Sequence, residues 1–260
     1  MAINWDEVQK VLIPIKDYED ICHRLLVSFG YSYITDAYNF TLPKLGDYTQ
    51  RLLGEDSRGR YTEYASRLIE VIAKLHRVGV QNVLSLKDKT ASREHLELFT
   101  EKSGVAAVDV VILLKYLIYW VIPNEKYLSG LVRGDPHILQ AIKILGGLGV
   151  RTSLQLLQAG ITSEKRTSLA ETSGIPTTII SELVNRADFS RLPWASKATI
   201  SNIIGAGYAS LAQLAHANPD QLYADFFRYG KSIGKNLKLG NEIENSYRIA
   251  KIVPVVLQEE

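Results

Sequence analysis

The stretch GVRTSLQLLQAGITSEKRTSLAETSGIPTTIISELVNRADFSRLP, residues 149–193, decides the fold because it repeats an earlier part of the chain. Residues 79–123 read GVQNVLSLKDKTASREHLELFTEKSGVAAVDVVILLKYLIYWVIP and align with it without a gap, 70 positions upstream. The identical residues include glycines and a closing proline: Gly79/Gly149, Val80/Val150, Leu84/Leu154, Leu86/Leu156, Glu94/Glu164, Glu101/Glu171, Ser103/Ser173, Gly104/Gly174 and Pro123/Pro193. We therefore predict two copies of one helical unit.

Each copy opens on a tight corner between two helices. Its glycine suits the left-handed C-terminal cap of the first helix, and Asn82 or Thr152 suits the N-cap of the second. The corner recurs at residues 207–214, where Gly207 and Ser210 take these positions. Most segments space their apolar residues three and four apart, and no Asn-Gly or Asp-Gly hairpin signal occurs between alternating apolar runs. These patterns predict an all-α repeat array.

The two copies differ in their third helix. In the first copy, residues 105–122 read VAAVDVVILLKYLIYWVI and are nearly all apolar, whereas the second copy has a mixed helix at this register. A helix that is apolar on all sides is either buried in protein or faces a membrane. Asp109 and Lys115 would be costly inside a bilayer, so we interpret the segment as a central helix of the array. Four of its residues are predicted to be largely buried: Ile112, Leu113, Leu117 and Trp120.

Composition restricts the class of protein only coarsely. With 46% hydrophobic residues, a chain of 260 residues can bury a substantial core, and a formal charge of +2 does not indicate a nucleic-acid binder. Cys22 is the only cysteine, which excludes an intramolecular disulfide and favours a cytoplasmic location. The histidines lack metal-ligand spacing, and no phosphate loop or dinucleotide fingerprint is present. We expect no enzyme activity, no metal and no cofactor.

Residues 1–76 precede the first copy and are rich in tyrosine. Tyrosine packs at the edges of protein cores and is also enriched at interfaces, so both interpretations stay open. Five aromatic residues are our candidates for contact with a protein partner: Tyr31, Tyr33, Tyr38, Trp120 and Trp194.

From Gly149 to about Pro254, the chain resembles a family called domain of unknown function 4332. The resemblance is carried by LLQAG at 156–160, LAETSGI at 169–175, ELVNRADF at 182–189, RLP at 191–193, AGY at 206–208 and QLAHANP at 213–219. Such proteins are similar to tandem helix-hairpin-helix modules, which hold the DNA backbone in repair and recombination proteins. The resemblance implies this fold here, with a degenerate upstream copy at 79–123.

The hairpins depart from the family's pattern, which typically reads proline, glycine, an apolar residue and glycine. Backbone N–H groups exposed in such a turn can point at a phosphate. Here Trp194-Ala195-Ser196 follow Pro193, and Asn124-Glu125-Lys126 follow Pro123. Because both hairpins lack the glycines, the expectation that they bind DNA is weakened.

The strongest local charge lies near the C-terminus, where residues 226–240 read FFRYGKSIGKNLKLG with four basic residues and no acid. Basic and aromatic side chains together could neutralise phosphates and stack on bases. The alternative is a solvated loop between two helices. The candidate nucleic-acid-contacting residues are Arg228, Lys231, Lys235 and Lys238.

Two functional hypotheses follow. The first is a non-enzymatic helical scaffold or adaptor that binds a protein partner, and the second is a nucleic-acid-binding protein that contacts phosphate through the basic aromatic loop. The first is preferred because the hairpins that would contact phosphate are altered. We expect an N-terminal helical region at 1–76, a first helical repeat at 77–148, and a second repeat with a helix-hairpin-helix-like unit at 149–260. No membrane span is expected, peripheral membrane association stays open, and the sequence does not indicate the oligomeric state.

Overall fold

The computed structural model describes residues 3–56, 59–193, 195–237 and 241–258. Within these ranges the regular structure is helical, with two isolated β-bridges and no strand. The protein is therefore all-α, as the spacing of its apolar residues predicts. The chain divides into two compact units, residues 1–124 and residues 125–260. This division lies within 77–148, the segment expected as the first repeat.

Unit 1, residues 1–124, contains the first half of the helices. In chain order they are α1 (Trp5–Leu12), α2 (Tyr18–Ser28), α3 (Ser32–Tyr38), α4 (Leu42–Thr49), α5 (Thr62–Arg77), α6 (Val83–Lys89), α7 (Arg93–Ser103) and α8 (Ala107–Tyr116). Helices α4 and α8 each continue into a π-helical turn, at Gln50–Gly54 and at Leu117–Val121.

Unit 2, residues 125–260, opens with a short 3-10 helix at Leu128–Gly130. Its α-helices are α9 (Pro136–Gly147), α10 (Ser153–Gly160), α11 (Ser163–Ser173), α12 (Thr177–Phe189), α13 (Lys197–Gly205), α14 (Leu211–Ala215), α15 (Pro219–Ser232) and α16 (Asn241–Ala250).

Helices of the two sequence copies begin at matching positions. Helices α6, α7 and α8 begin at residues 83, 93 and 107, and α10, α11 and α12 begin 70 positions later, at 153, 163 and 177. Gly104 and Gly174 end α7 and α11 in the left-handed region, with φ of 69° and 67°. The helix order is the one that two copies of one unit require. A common packing geometry for the copies stays a prediction.

The corners at Gly79 and Gly149 have the same backbone geometry. Both glycines have a φ of 85°, which L side chains rarely adopt. The next N–H donates back into the preceding helix, from Val80 to the Leu75 oxygen at 3.1 Å and from Val150 to the Leu145 oxygen at 2.9 Å. This bond satisfies a carbonyl that the end of the helix leaves open. At the third corner Gly207 has a φ of 105°.

The N-caps of the three corners are also as predicted. Asn82, Thr152 and Ser210 accept hydrogen bonds from the backbone N–H three residues on, at 2.8, 3.4 and 3.2 Å. Asn82 and Thr152 also form the two β-bridges, with Thr41 and Tyr127 respectively. Each of these two corners is thus fixed by a glycine cap, a side-chain cap and an extended neighbour.

Helix α8 lies in the core of unit 1, where it packs against α1, α5 and α7. The burial prediction is confirmed for Ile112, Leu113 and Leu117, whereas Trp120 is half-buried with its ring 5.0 Å from that of Tyr61. Among the described residues, no helix is long and apolar enough to cross a membrane.

Both charged residues of this apolar segment have partners. Asp109 pairs with Arg67 at 3.0 Å. Lys115 donates to the backbone oxygens of Val11, at 2.8 Å, and of Ile13 at the end of α1. Burial lowers the pKa of Lys115. The two charges that argue against a membrane span therefore stabilise contacts within unit 1.

In unit 2, Lys126 holds the chain where α12 ends. Its Nζ donates to the Ser190 oxygen at 2.9 Å and to the Ala195 oxygen at 3.1 Å. These two carbonyls lie on either side of Pro193, so one ammonium group ties both ends of the second predicted hairpin. Burial lowers the pKa of Lys126 to about 8.

We expect Gly79→Ala and Gly149→Ala each to lower the free energy of unfolding of their unit by about 1–2 kcal/mol, because a Cβ strains left-handed backbone. Gly147→Ala is the control, since Gly147 lies in α9 with open space around an added Cβ. It should leave stability unchanged or raise it by up to about 1 kcal/mol. Urea denaturation followed by circular dichroism measures all three. A Gly149→Ala protein as stable as Gly147→Ala would contradict the corner geometry.

Lys126 should contribute a rise in the free energy of unfolding with pH between about 8 and 10.5, its pKa values in the folded and in the unfolded chain. In that window the folded chain binds fewer protons at Lys126 than the unfolded chain does, so deprotonation favours folding. The rise is a few kcal/mol at most, since one pKa unit corresponds to about 1.4 kcal/mol. Denaturant titrations across this window should show a difference in the free energy of unfolding, native minus Lys126→Met, that grows with pH, because the other titrating groups contribute equally to both proteins. Parallel pH curves for the two proteins would refute it.

Candidate macromolecular interface

Helix α15 carries Arg228 and Lys231, two of the four residues predicted to contact nucleic acid. Local sequence defines both ends of this helix. Asn218 caps its N-terminus by accepting from the N–H groups of Asp220 and Gln221 at 2.9 and 3.2 Å. At the other end Gly234 has a φ of 66°, and the Lys235 N–H donates back to the Gly230 oxygen at 2.8 Å. The helix is therefore capped at both ends by the same devices as the corners.

One face of α15 is buried in unit 2. Leu222, Phe226 and Gly230, which follow each other at four-residue spacing, are buried. Gly205 lets α13 approach closely, since a Cβ there would lie 2.2 Å from the ring of Tyr229 on α15. This close packing fixes which face of α15 turns away from unit 2.

Asp225 joins three side chains at the edge of the buried face. Its carboxylate accepts from the Tyr208 hydroxyl at 3.0 Å and from the Gln221 amide at 2.8 Å, and it pairs with Arg228 at 3.1 Å. Burial first, and then the neighbouring carboxylate, raise the pKa of Tyr208 to about 12. Because Tyr208 follows Gly207 in the third corner, Asp225 connects that corner to α15 and orients Arg228.

The side of α15 that turns away from unit 2 exposes aromatic and basic side chains. Tyr223 is 41% exposed and Phe227 is 54% exposed. The Lys231 ammonium lies 4.4 Å from the centre of the Phe227 ring. The side chain of Arg228 is 74% exposed despite its ion pair. We call these four residues the α15 surface.

The structure corrects the predicted basic loop. Arg228 and Lys231 lie on α15, which extends to Ser232, so the first half of residues 226–240 is helical. The apolar contacts of Phe226 and the close fit at Gly230 stabilise this helix, although glycine is a poor helix former. Lys235 is exposed just after the helix, and Lys238 lies outside the described residues.

Two of the five aromatic residues that were predicted to contact a partner are buried. Tyr33 and Tyr38 are buried in unit 1, at 4% and 1% exposure, and are core residues rather than contact residues. Tyr31 and Trp120 are half-buried, and Trp194 lies outside the described residues. The exposed aromatic residues of α15 are absent from the predicted set. Their four-residue spacing, one position after the buried pair 222 and 226, is a signal that could have found them.

A separate cavity of about 640 Å³ in unit 2 has mainly apolar walls, formed by α14 and the segment 250–258. At its edge the buried Arg191 pairs with Asp188 at 2.5 Å and donates to the Pro254 oxygen at 2.8 Å. The hydrogen bond from Arg191 to Pro254 ties the C-terminal segment to the end of α12. Over the described ranges of the chain, no group of three or more His, Cys, Asp or Glu side chains could hold a metal ion.

Comparison with known proteins gives one family match. No curated protein and no solved structure matches the chain. Residues 139–243 match the model of the family described as Domain of unknown function (DUF4332). The matched range includes the second copy, the third corner and α15. The resemblance to the DUF4332 family is therefore shown for residues 139–243 of this chain.

Proposed function

We propose that this protein is a non-enzymatic, cytoplasmic scaffold or adaptor that binds a protein partner through the α15 surface. The observation that carries the proposal is the exposure of Tyr223 and Phe227, by 41% and 54%, on a helix whose other face is packed into unit 2. In this proposal the capped corners are helix-hairpin-helix-like units that act as spacers.

The chemistry of the α15 surface supports a protein partner. Large aromatic side chains and arginine supply most of the binding energy at protein interfaces, and a few such residues dominate each interface. An aromatic side chain offers a large contact area for few rotatable bonds, so little conformational entropy is lost when it binds. Tyr223 and Phe227 combine this property with the basic ends of Arg228 and Lys231.

The Asp225 contacts add preorganisation. Because Asp225 holds the Arg228 guanidinium at 3.1 Å, less side-chain freedom remains to be lost when a partner binds. The same ion pair offsets part of the positive charge of this surface. A surface with less net charge is a weaker attractor for phosphate and fits a partner with apolar and polar groups.

Nucleic acid is the second candidate, and one observation favours it. Lys231 lies over the Phe227 ring, so a cation and an aromatic face are presented together, as in proteins that bind single strands. In this alternative Arg228, Lys231, Lys235 and Lys238 would contact phosphates. Nucleic-acid binding is ranked second because the hairpins lack the glycines whose backbone N–H groups would contact phosphate.

The double variant Tyr223→Ala/Phe227→Ala should lose the protein partners of the native chain, with a cost of more than about 2 kcal/mol in binding. Tagged proteins are used for affinity purification from nuclease-treated extracts of the native host, with quantitative mass spectrometry as the readout. Tyr127→Ala is the matched control, because Tyr127 is an exposed tyrosine elsewhere in unit 2. Partners retained equally by the double variant and the control would reject the α15 surface as the interface.

The nucleic-acid alternative has its own test. Any binding to single strands or duplexes should weaken in the fourfold variant Arg228→Ala/Lys231→Ala/Lys235→Ala/Lys238→Ala, almost equally for all sequences. The salt dependence of the affinity should fall by about one unit for each lost phosphate contact. Gel-shift titrations of both proteins at two salt concentrations measure this. Tight binding that survives the variant would place the phosphate contacts elsewhere.

A further inference from the structure

Unit 1 has an open groove of about 720 Å³ where the C-terminal ends of α5, α6 and α7 come together. Its basic side chains are Arg77, Lys89, Lys102 and His95, and Leu98 and Phe99 supply apolar surface. None of the described residues that line it is acidic. The groove therefore combines cations with an apolar wall. In this wall, Leu98 is 52% exposed.

Helix α7 separates its charges between two faces. His95, Leu98 and Lys102 are three and four residues apart and line the groove. None of the three acids of α7 lines the groove: Glu97 accepts a hydrogen bond from the Trp5 indole at 2.9 Å, Glu101 lines a different cavity, and Glu94 is exposed in the first turn, four residues before Leu98. From α7, the groove is therefore lined by His95 and Lys102 and by none of the helix's acids.

The basic residues are not needed to cap the helices. Cations near the C-terminus of a helix can stabilise it through the helix dipole, and this would be the plain reason for their presence. In the second copy, however, the positions of Arg77, Lys89 and Lys102 are Gly147, Ala159 and Thr172. Helices α9, α10 and α11 have no basic residue in their last turns. Equivalent helix ends thus form without these cations.

The cations of the groove are also available for a ligand. Among the described residues, Arg77, Lys89 and Lys102 form no salt bridge. Their neighbours behave differently, since Lys74 pairs with Glu70 at 2.9 Å and Lys87 with Asp88 at 2.6 Å. Of these five basic residues, the three without a salt bridge are the ones that line the groove.

We propose that this groove binds an acidic peptide segment that also carries apolar side chains, presented by a partner protein. Its carboxylates pair with Arg77, Lys89 and Lys102, and an apolar side chain packs on Leu98 and Phe99. A peptide fits better than nucleic acid because a phosphate backbone offers no apolar group that could pack against the aliphatic side chain of Leu98. The site is on unit 1 and does not depend on the α15 surface.

The test uses the purified full chain and fluorescence anisotropy at low salt. The probes are a labelled random copolymer of glutamate and leucine, polyglutamate of the same length, and oligothymidylate. The copolymer should bind more tightly than polyglutamate. Arg77→Ala/Lys89→Ala/Lys102→Ala should weaken copolymer binding at least about tenfold, which corresponds to about 1.4 kcal/mol. Leu98→Ala should weaken binding of the copolymer but not of polyglutamate.

Two controls make the result specific. Lys10→Ala/Lys44→Ala/Arg60→Ala removes the same charge from other exposed positions of unit 1 and should retain native affinity. Tyr223→Ala/Phe227→Ala should also retain it, so that failure of this site is distinguishable from failure of the α15 surface. The proposal is overturned by no copolymer binding, by equal affinity for polyglutamate, or by equal losses in the charge control. Oligothymidylate binding at least as tight, through the same three residues, would overturn it in favour of phosphate.

Discussion

The left-handed glycine that ends a helix is the constraint on which this structure depends. At Gly79, Gly149 and Gly207 the chain can leave one helix and enter the next within a few residues only because no Cβ is present. The hydrogen bond back to the preceding helix and the side-chain N-cap of the following helix then satisfy backbone groups that would otherwise face the core. Every helix that borders such a corner has its direction set there.

Two partly buried lysines are tolerated because helix ends supply hydrogen-bond acceptors for them. Lys115 sits in the apolar helix of unit 1 but donates to carbonyls at the end of α1, and Lys126 does the same for carbonyls near the end of α12. Burying an unpaired ammonium group would be far more costly than burying one with two acceptors. These lysines therefore join sequence-distant segments, which a local pattern of caps cannot do.

The corners could be predicted from the sequence because their causes are local. A glycine, a capping side chain and a repeat of 70 residues are all visible in the sequence, and the observed φ angles and caps agree with them. The α15 surface was predicted less well, because the acid that pairs with Arg228 lies just outside the basic stretch at 226–240. Asp225 also accepts from Tyr208, which is 17 residues away in the sequence, and Tyr33 and Tyr38 are buried although tyrosine occurs both at core edges and at interfaces. A window starting at residue 226 could not include the acid that precedes it.

The comparison of the two copies distinguishes residues that the fold requires from residues that determine the chemistry of the surface. Glycines, caps and helix boundaries are shared at one offset, so they are explained by the needs of the fold. Arg77, Lys89 and Lys102 differ from their counterparts in the second copy although the helices around them end in the same way. The same fold therefore permits either set of side chains, and the fold gives no reason for the basic one. The physical reason that we propose for the basic set is the acidic peptide that the groove would contact.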